Sequence, residues 1–413
     1  MAVLLHPVRE GVRVPRIVFS TEYEQRTLAE DREIIERILG AYHHAIGSAS
    51  ARTRRSMFGT IWAADGFGGR QRDLVEALEA RSAERAHGIL RRFLISDAAY
   101  GIAMGREEAD AVRNDPALAH GYGLMWLDQL VGLAGASGAH PLINPEDNLA
   151  GWERALLDVD VDAAVASIEE TFGIRLEFPD MTGVFGGELR GKPVPSLAFM
   201  HLLVALGVRP WMPEQGKGHV VEIGGGFGDL AYWTGRLLRC RYTIYDLPFV
   251  NAAQAYFLWR ALPGRPLRLA GEQPGAGDEI ALLPGWLLIQ EPPASADVVI
   301  NQNSLVEIPR ATARAYLTAI RGFLDGPFLS INHESWQRMA DALDRTSVAE
   351  SMAAVGGYTR VSRAPFALRV GYVQEIYARS GATLRVGSSD GRRVVASPAA
   401  APTLKRLKRL LSR

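Results

Sequence analysis

Cysteine is almost missing from this chain: 413 residues include one, Cys240. That excludes an intrachain disulfide and any metal site built from several thiolates, and it makes a reducing cytoplasm the expected compartment. Net charge is missing as well, because 46 basic residues meet 46 acidic ones. Bulk electrostatics therefore gives no hold for a nucleic acid or an anionic membrane. No uninterrupted apolar run is long enough to span a bilayer. The opening segment, broken at Pro7, is too short to read as a signal peptide. There is no His-x-x-x-His pair, no Asp cluster and no visible repeat.

What is present is a large apolar fraction, 47%, over a length that favours two domains. The most informative stretch is Val220-Val-Glu-Ile-Gly-Gly-Gly-Phe-Gly228. A buried strand there meets glycines at 224, 225, 226 and 228, and a helix follows from about Asp229 to Leu238. Strand, glycine turn and helix form a nucleotide cradle. A dinucleotide fingerprint would place its third glycine at 229, where this chain has Asp, so an NAD oxidoreductase is disfavoured. A second short strand, Tyr242-Thr-Ile-Tyr-Asp246, ends in an acid about twenty residues beyond the loop, where a ribose diol is held. A third, Ala296 to Asn301, runs into Asn301-Gln-Asn-Ser304.

Along the rest of the chain, apolar spacing predicts helices over 22–39, 70–93, 120–131 and 160–172, with loop at 132–148. A Gly/Pro-rich break at 183–195 marks a domain boundary. A helix over 196–206, with Ser196 as a candidate cap, leads into the sheet. From 218 onward strands and helices alternate, which implies a parallel sheet covered on both faces. Strands are expected at 220–223, 242–245, 267–269, 297–300 and 327–331, and helices at 229–238, 249–262 and 310–324. The stretch 271–296, rich in proline, reads as irregular. Segments 358–365 and 370–379 read as an antiparallel edge pair. The tail, Leu404 to Arg413, is basic with leucines at helical spacing.

With these residues placed, the chain resembles class I S-adenosylmethionine (SAM) methyltransferases. Within them it resembles the family of sugar O-methyltransferases. The stretches that carry the likeness are Val221 to Ala231, Tyr242 to Pro248, Asp297 to Glu307 and Gly371 to Tyr377. They fall within residues 190–380, and the N-terminal half matches no family. The resemblance implies an α/β fold: a Rossmann-like, mostly parallel sheet with an antiparallel edge hairpin, plus a mainly helical N-terminal domain. The expected organisation is 1–185 as a helical cap, substrate or dimerisation domain, 186–381 as the SAM-binding domain, and 382–413 as a tail. It further implies that Gly224, Gly225, Gly226 and Gly228 line the cofactor. Glu222 would orient the loop and reach the cofactor's amino group. Asp246 would bind the ribose, Leu247 would lie against adenine, and Asn301 and Gln302 would complete the site. Asp278 and Trp286 are candidates for the adenine edge.

A hydroxyl acceptor calls for a general base at the carboxyl ends of the strands. His333 is the first candidate, with Glu334 orienting it or serving in its place, and Glu307 is the second. His201 reads as packed or bordering the pocket, and His219 as lying at the wrong end of the sheet. Trp233, Trp286 and Trp336 fall near the pocket edge, more as core than as sugar platforms. Because the third strand ends in Asn301, not Asp, no metal is expected. The activity expected is O-methylation of a sugar or glycosylated small molecule, with S-adenosylhomocysteine as by-product. The alternatives are a carboxylate, peptide or polyketide acceptor, or a SAM-binding protein without chemistry. A homodimer is an open option.

Overall fold

The computed structural model describes residues 13–58, 62, 69–140, 159–213, 218–275, 277–334, 347–385 and 395–396. The basic tail and Trp336 lie outside them. In chain order the strands are β1 (Ile17–Phe19), β2 (Phe185–Leu189), β3 (Lys192–Val194), β4 (His219–Ile223), β5 (Arg241–Asp246), β6 (Leu267–Leu269), β7 (Ile280–Pro284), β8 (Val298–Gln302), β9 (Phe328–His333), β10 (Tyr358–Pro365), β11 (Tyr372–Arg379) and a short antiparallel pair, β12 (Leu384–Arg385) and β13 (Val395–Ala396). Eight of them form one sheet in the order β10-β11-β9-β8-β4-β5-β7-β6. All its pairings are parallel except those of β11 with β9 and with β10. This is the expected Rossmann-like sheet with an antiparallel hairpin at one edge.

Strand alternation explains why both faces are covered. Val220 and Ile244 feed one hydrophobic core, while Val221, Ile223 and Tyr245 feed the other. Successive side chains of a strand point to opposite faces, so one run of apolar residues serves two layers. The first core is continuous with the N-terminal half. Ile34, Leu74, Trp126 and Phe199 belong to the same cluster as Val220 and Phe257. A buried polar knot strengthens this junction. Asp31, fully buried, accepts hydrogen bonds from Arg26 (2.6 Å) and from Tyr256 of the Pro248–Ala261 helix (2.6 Å), and lies 3.1 Å from His87. The Arg26 guanidinium and these partners outweigh the burial that would otherwise raise the Asp31 pKa.

Local chemistry sets the helix ends. Thr27 forms a capping box with Glu30, so the first long helix is Leu28–Gly47 and residues 22–25 are a short 3-10 turn. The helix predicted over 70–93 is two, Arg72–Glu79 and Ala83–Leu90. Arg81 takes a left-handed φ of 52° and Ser82 caps the second. Asp115 caps Pro116–Ala136, which carries the third helix beyond its predicted end. Ser196 is not a cap: Pro195 holds that position and Ser196 is the first helical residue of Ser196–Val208.

Two predicted irregular segments are ordered strands. The break at 183–195 is the β2–β3 hairpin, and β2 also pairs antiparallel with β1. Its glycines permit close packing instead of interrupting structure. A Cβ on Gly187 would lie 2.5 Å from the ring of Trp126, whose indole N–H donates to the Val194 carbonyl at 2.7 Å. The expected boundary at 185/186 falls inside β2. Within 271–296, the apolar run before Pro284 forms β7, paired with β5. A helix not expected from the sequence, Val348–Val355, is capped by Ser347 and Glu350.

Candidate functional site

The register brings three strand tips together. Ile223 of β4 pairs with Tyr245 of β5 on one side and Asn301 of β8 on the other. A cavity opens at these carboxyl ends, where open α/β sheets bind ligands. It is lined by Glu222, Gly224, Gly225, Gly226, Asp246, Leu247, Gln302 and Glu307 among others. Eight residues read as functional from sequence thus share one cavity.

The glycine loop packs closely on its protein neighbours. Gly224 has φ of 66°, and a Cβ there would lie 2.2 Å from Ser304 Oγ. Ser304 in turn donates to the Ile223 carbonyl at 2.8 Å and fixes the loop's start. Asp246 Oδ1 accepts from the Leu247 N–H and Oδ2 from Gln254, each at 2.8 Å. Gln254 also donates to the Gly226 carbonyl at 3.0 Å, tying acid to loop. Its place on the Pro248–Ala261 helix gave no sequence signal. Burial pushes the Asp246 carboxyl up to about 7, against the hydrogen bonds that lower it. Glu222 accepts from the Tyr242 hydroxyl at 2.8 Å, and burial pushes it up to about 8. Such carboxylates are poised for a cationic or hydroxyl-bearing partner.

Gln302 carries a further mark of a ligand site, since its side-chain nitrogen and oxygen are both buried without a protein partner. Buried amides left in this state are rare. Asn301 differs. It does not line the cavity, and its amide donates to the Ile223 carbonyl at 2.9 Å while its oxygen accepts from Leu305 N–H and Asn332. It pins the strand tip from outside the cavity lining. Asn303, with a left-handed φ of 63°, does line the cavity and accepts from the Tyr372 hydroxyl at 2.7 Å.

Of the base candidates, Glu307 lines the cavity, while His333 and Glu334 are outside the lining. His333 sits edge-on to Tyr372 at 5.5 Å. Glu334 is clasped by Arg363, which holds its carboxyl below the usual range. Asp278 pairs with Arg239 and Arg265. Trp286 donates to Ser48, and Trp233 is buried in the core. His219 is bound at both ring nitrogens, by the Ser295 carbonyl and Thr243.

The structure adds a pair that the sequence reading did not assemble. His201, from the helix before β4, puts Nδ1 at 3.7 Å from Asp229 Oδ2, at the start of the helix after the glycine loop. Both residues line the cavity, and His201 Nδ1 and Asp229 Oδ1 are buried without hydrogen bonds. Burial lowers the imidazole to about 4, with help from the Arg369 charge, and raises the Asp229 carboxyl to about 7. Near neutral pH the ring is uncharged and the carboxyl is partly protonated.

The sheet order, the loop after β4 and the acid ending β5 decide the architecture. The chain has a Rossmann-like α/β fold with a mostly parallel eight-stranded sheet. No protein-family model matches it, and no curated protein matches it. Among solved structures it is similar to the mitomycin 7-O-methyltransferase MmcR, at 17% identity over 77% of this chain and 93% of that one, TM-score 0.34. It is also similar to LaPhzM, at 19% identity over 45% of this chain and 56% of that one, TM-score 0.33. A third is the magnesium protoporphyrin IX methyltransferase ChlM from Synechocystis PCC 6803, with bound SAH, at 14% identity over 45% and 84%, TM-score 0.31. The chain spans little more than half the length of LaPhzM and of LepI, 56% and 51%.

Proposed function

We propose that this chain is a SAM-dependent O-methyltransferase of small molecules. The observation that carries the reading is the convergence of a glycine cradle, an unpartnered Gln302 and the Asp246 carboxylate on one cavity. The residues present fit the cofactor. Gly224, Gly225 and Gly226 line the space for it, while Gly228 lies outside the lining; Asp246 accepts from a diol, Glu222 and Asp229 suit a cationic group, and Leu247 offers an apolar face. When bound, SAM supplies an electrophilic methyl group, whose bond to sulfur breaks as a bond to the acceptor oxygen forms.

The protein's own work is to align the acceptor and to take its proton. Alignment of this kind can remove on the order of 7–11 kcal/mol of barrier. Positioned proton removal adds roughly 10²–10⁴-fold. His201 is uncharged at neutral pH and backed by Asp229, so it can accept the hydroxyl proton while the carboxylate offsets the new positive charge. Glu307, in the same lining, is the second candidate. The family resemblance suggests a sugar or glycosylated acceptor. The apolar lining from Met57 to Met200 disfavours a free sugar. The mainly helical part before β2 acts as a cap over the strand tips in this reading.

Calorimetry with SAM and S-adenosylhomocysteine tests the cofactor. Binding at micromolar concentrations that weakens roughly 10- to 100-fold in Asp246→Ala supports the assignment. A chain that ignores both ligands at millimolar excess sinks it.

A further inference from the structure

The two sides of the cavity differ in chemistry. From Met57 to Met200 the lining residues include Leu94, Met104, Phe178, Val184 and Phe185. Among the described residues on that side, the Trp62 indole N–H is the only side-chain N–H or O–H group, and the Met57 sulfur already accepts from the Tyr316 hydroxyl. A sugar's hydroxyls, once buried there, would lose water without replacement, at about 1–3 kcal/mol for each unpaired group. A flat apolar skeleton loses nothing comparable.

Among the described residues, one cationic side chain lines the cavity. Arg369, in the turn between β10 and β11, lines the cavity. Its guanidinium stacks on the Tyr372 ring, 4.2 Å from the centroid, and makes no ion pair with a described residue. Tyr372 is itself held by Asn303, so the guanidinium rests on a fixed platform. Arginine presents a planar fork of donors that matches a carboxylate.

We propose that the acceptor is an apolar, ring-bearing hydroxy acid, its skeleton against the helical wall and its carboxylate on Arg369. This rests on the methyltransferase reading and names the acceptor class for it. The pairing would orient the molecule so that a hydroxyl, not the acid, meets the polar sheet side.

The test is calorimetry on the chain saturated with S-adenosylhomocysteine, using 1-hydroxy-2-naphthoate, 1-naphthol and methyl β-glucoside as probes. The naphthoate should bind about tenfold or more tightly than the naphthol, as a charge-assisted pair implies. The glucoside should bind weakest. Arg369→Met should bring naphthoate down to naphthol while leaving S-adenosylhomocysteine affinity unchanged, and Arg369→Lys should restore part of the difference. Three results overturn the proposal: a glucoside that binds as well as the naphthoate, a naphthoate that fails to bind at low millimolar concentration, or an Arg369→Met variant that loses S-adenosylhomocysteine instead. The last would give the guanidinium to the cofactor's carboxylate. Failure of the wild-type chain to bind S-adenosylhomocysteine at all counts against the methyltransferase reading itself, and is visible before any acceptor is added.

Discussion

The two walls of the cavity are built by different rules. The sheet wall is polar, and most of its groups have a protein partner that fixes them: Tyr242 on Glu222, Gln254 on Asp246, Tyr372 on Asn303. The helical wall is apolar and is assembled from residues far apart in the chain, Met57 through Met200. The first wall holds a ligand by directed bonds, which demand particular residues at particular strand tips. The second holds it by shape and water exclusion, which many apolar residues could supply. A cofactor common to many enzymes and an acceptor particular to one would divide between such walls in this way.

The contrast can be broken most sharply at the sheet wall. Gly224→Val places side-chain atoms where Ser304 Oγ already sits and forces a left-handed backbone on a β-branched residue. SAM binding should fall below detection by calorimetry. Asp246→Ala removes hydrogen bonds to a charged group, each worth about 1.5–3 kcal/mol, so SAM affinity should drop roughly 10- to 100-fold.

His201→Asn and Asp229→Asn sharpen the comparison at the junction of the two walls. Each should lower kcat on the order of 10²-fold with SAM affinity within about threefold. The rate should rise as pH passes through about 7, where Asp229 ionises, and this rise should vanish in Asp229→Asn. If Glu307→Gln has the larger effect, the proton goes to that carboxylate.

The same buried acids fix the sign of a stability effect. Glu222, Asp229 and Asp246 have folded pKa values of about 8, 7 and 7, all above their ordinary range. The folded chain therefore binds more protons than the unfolded one between those limits. Their contribution is fully present below the ordinary carboxyl range and is lost as pH rises through about 7 to 8. Thermal unfolding without ligand should show a midpoint that falls from the ordinary carboxyl range up to about pH 8, with a shallower fall in Asp229→Asn.

At the helical wall, Met104→Gln should raise acceptor KM several-fold and leave SAM affinity alone, as expected for one polar group placed in an apolar pocket. Smallest of all, Glu334→Gln breaks a partly exposed ion pair with Arg363, worth about 0–1 kcal/mol. Both it and His333→Ala should leave kcat within about threefold, in contrast to His201→Asn.

The sheet wall was legible because its residues sit close together in the chain. A glycine loop, an acid after the next strand and a polar run after the third each announce themselves within a few residues. Short, nearly continuous apolar runs likewise gave most strands of the large sheet. β7 escaped because its five residues lie among prolines, and β2 because its glycines look like a break until Trp126 is seen packed on them. Asn301 looked like a ligand contact because a polar residue at a strand tip cannot be told from one that braces the tip. His333 and Glu334 had the right end of the sheet, but the chain leaves β9 beside the edge hairpin, where Arg363 takes Glu334.

By itself, the sequence determined the sheet, the cradle and the acid at 246, since these follow from local spacing and backbone sterics. Tertiary structure alone decided that His201 meets Asp229, that Gln254 braces Asp246, and that an apolar wall faces a polar one. Those pairings join segments whose separation along the chain carries no period. They exist because packing helices on the sheet and on one another removes apolar surface from water, and that drive fixes which side chains meet without naming them in advance.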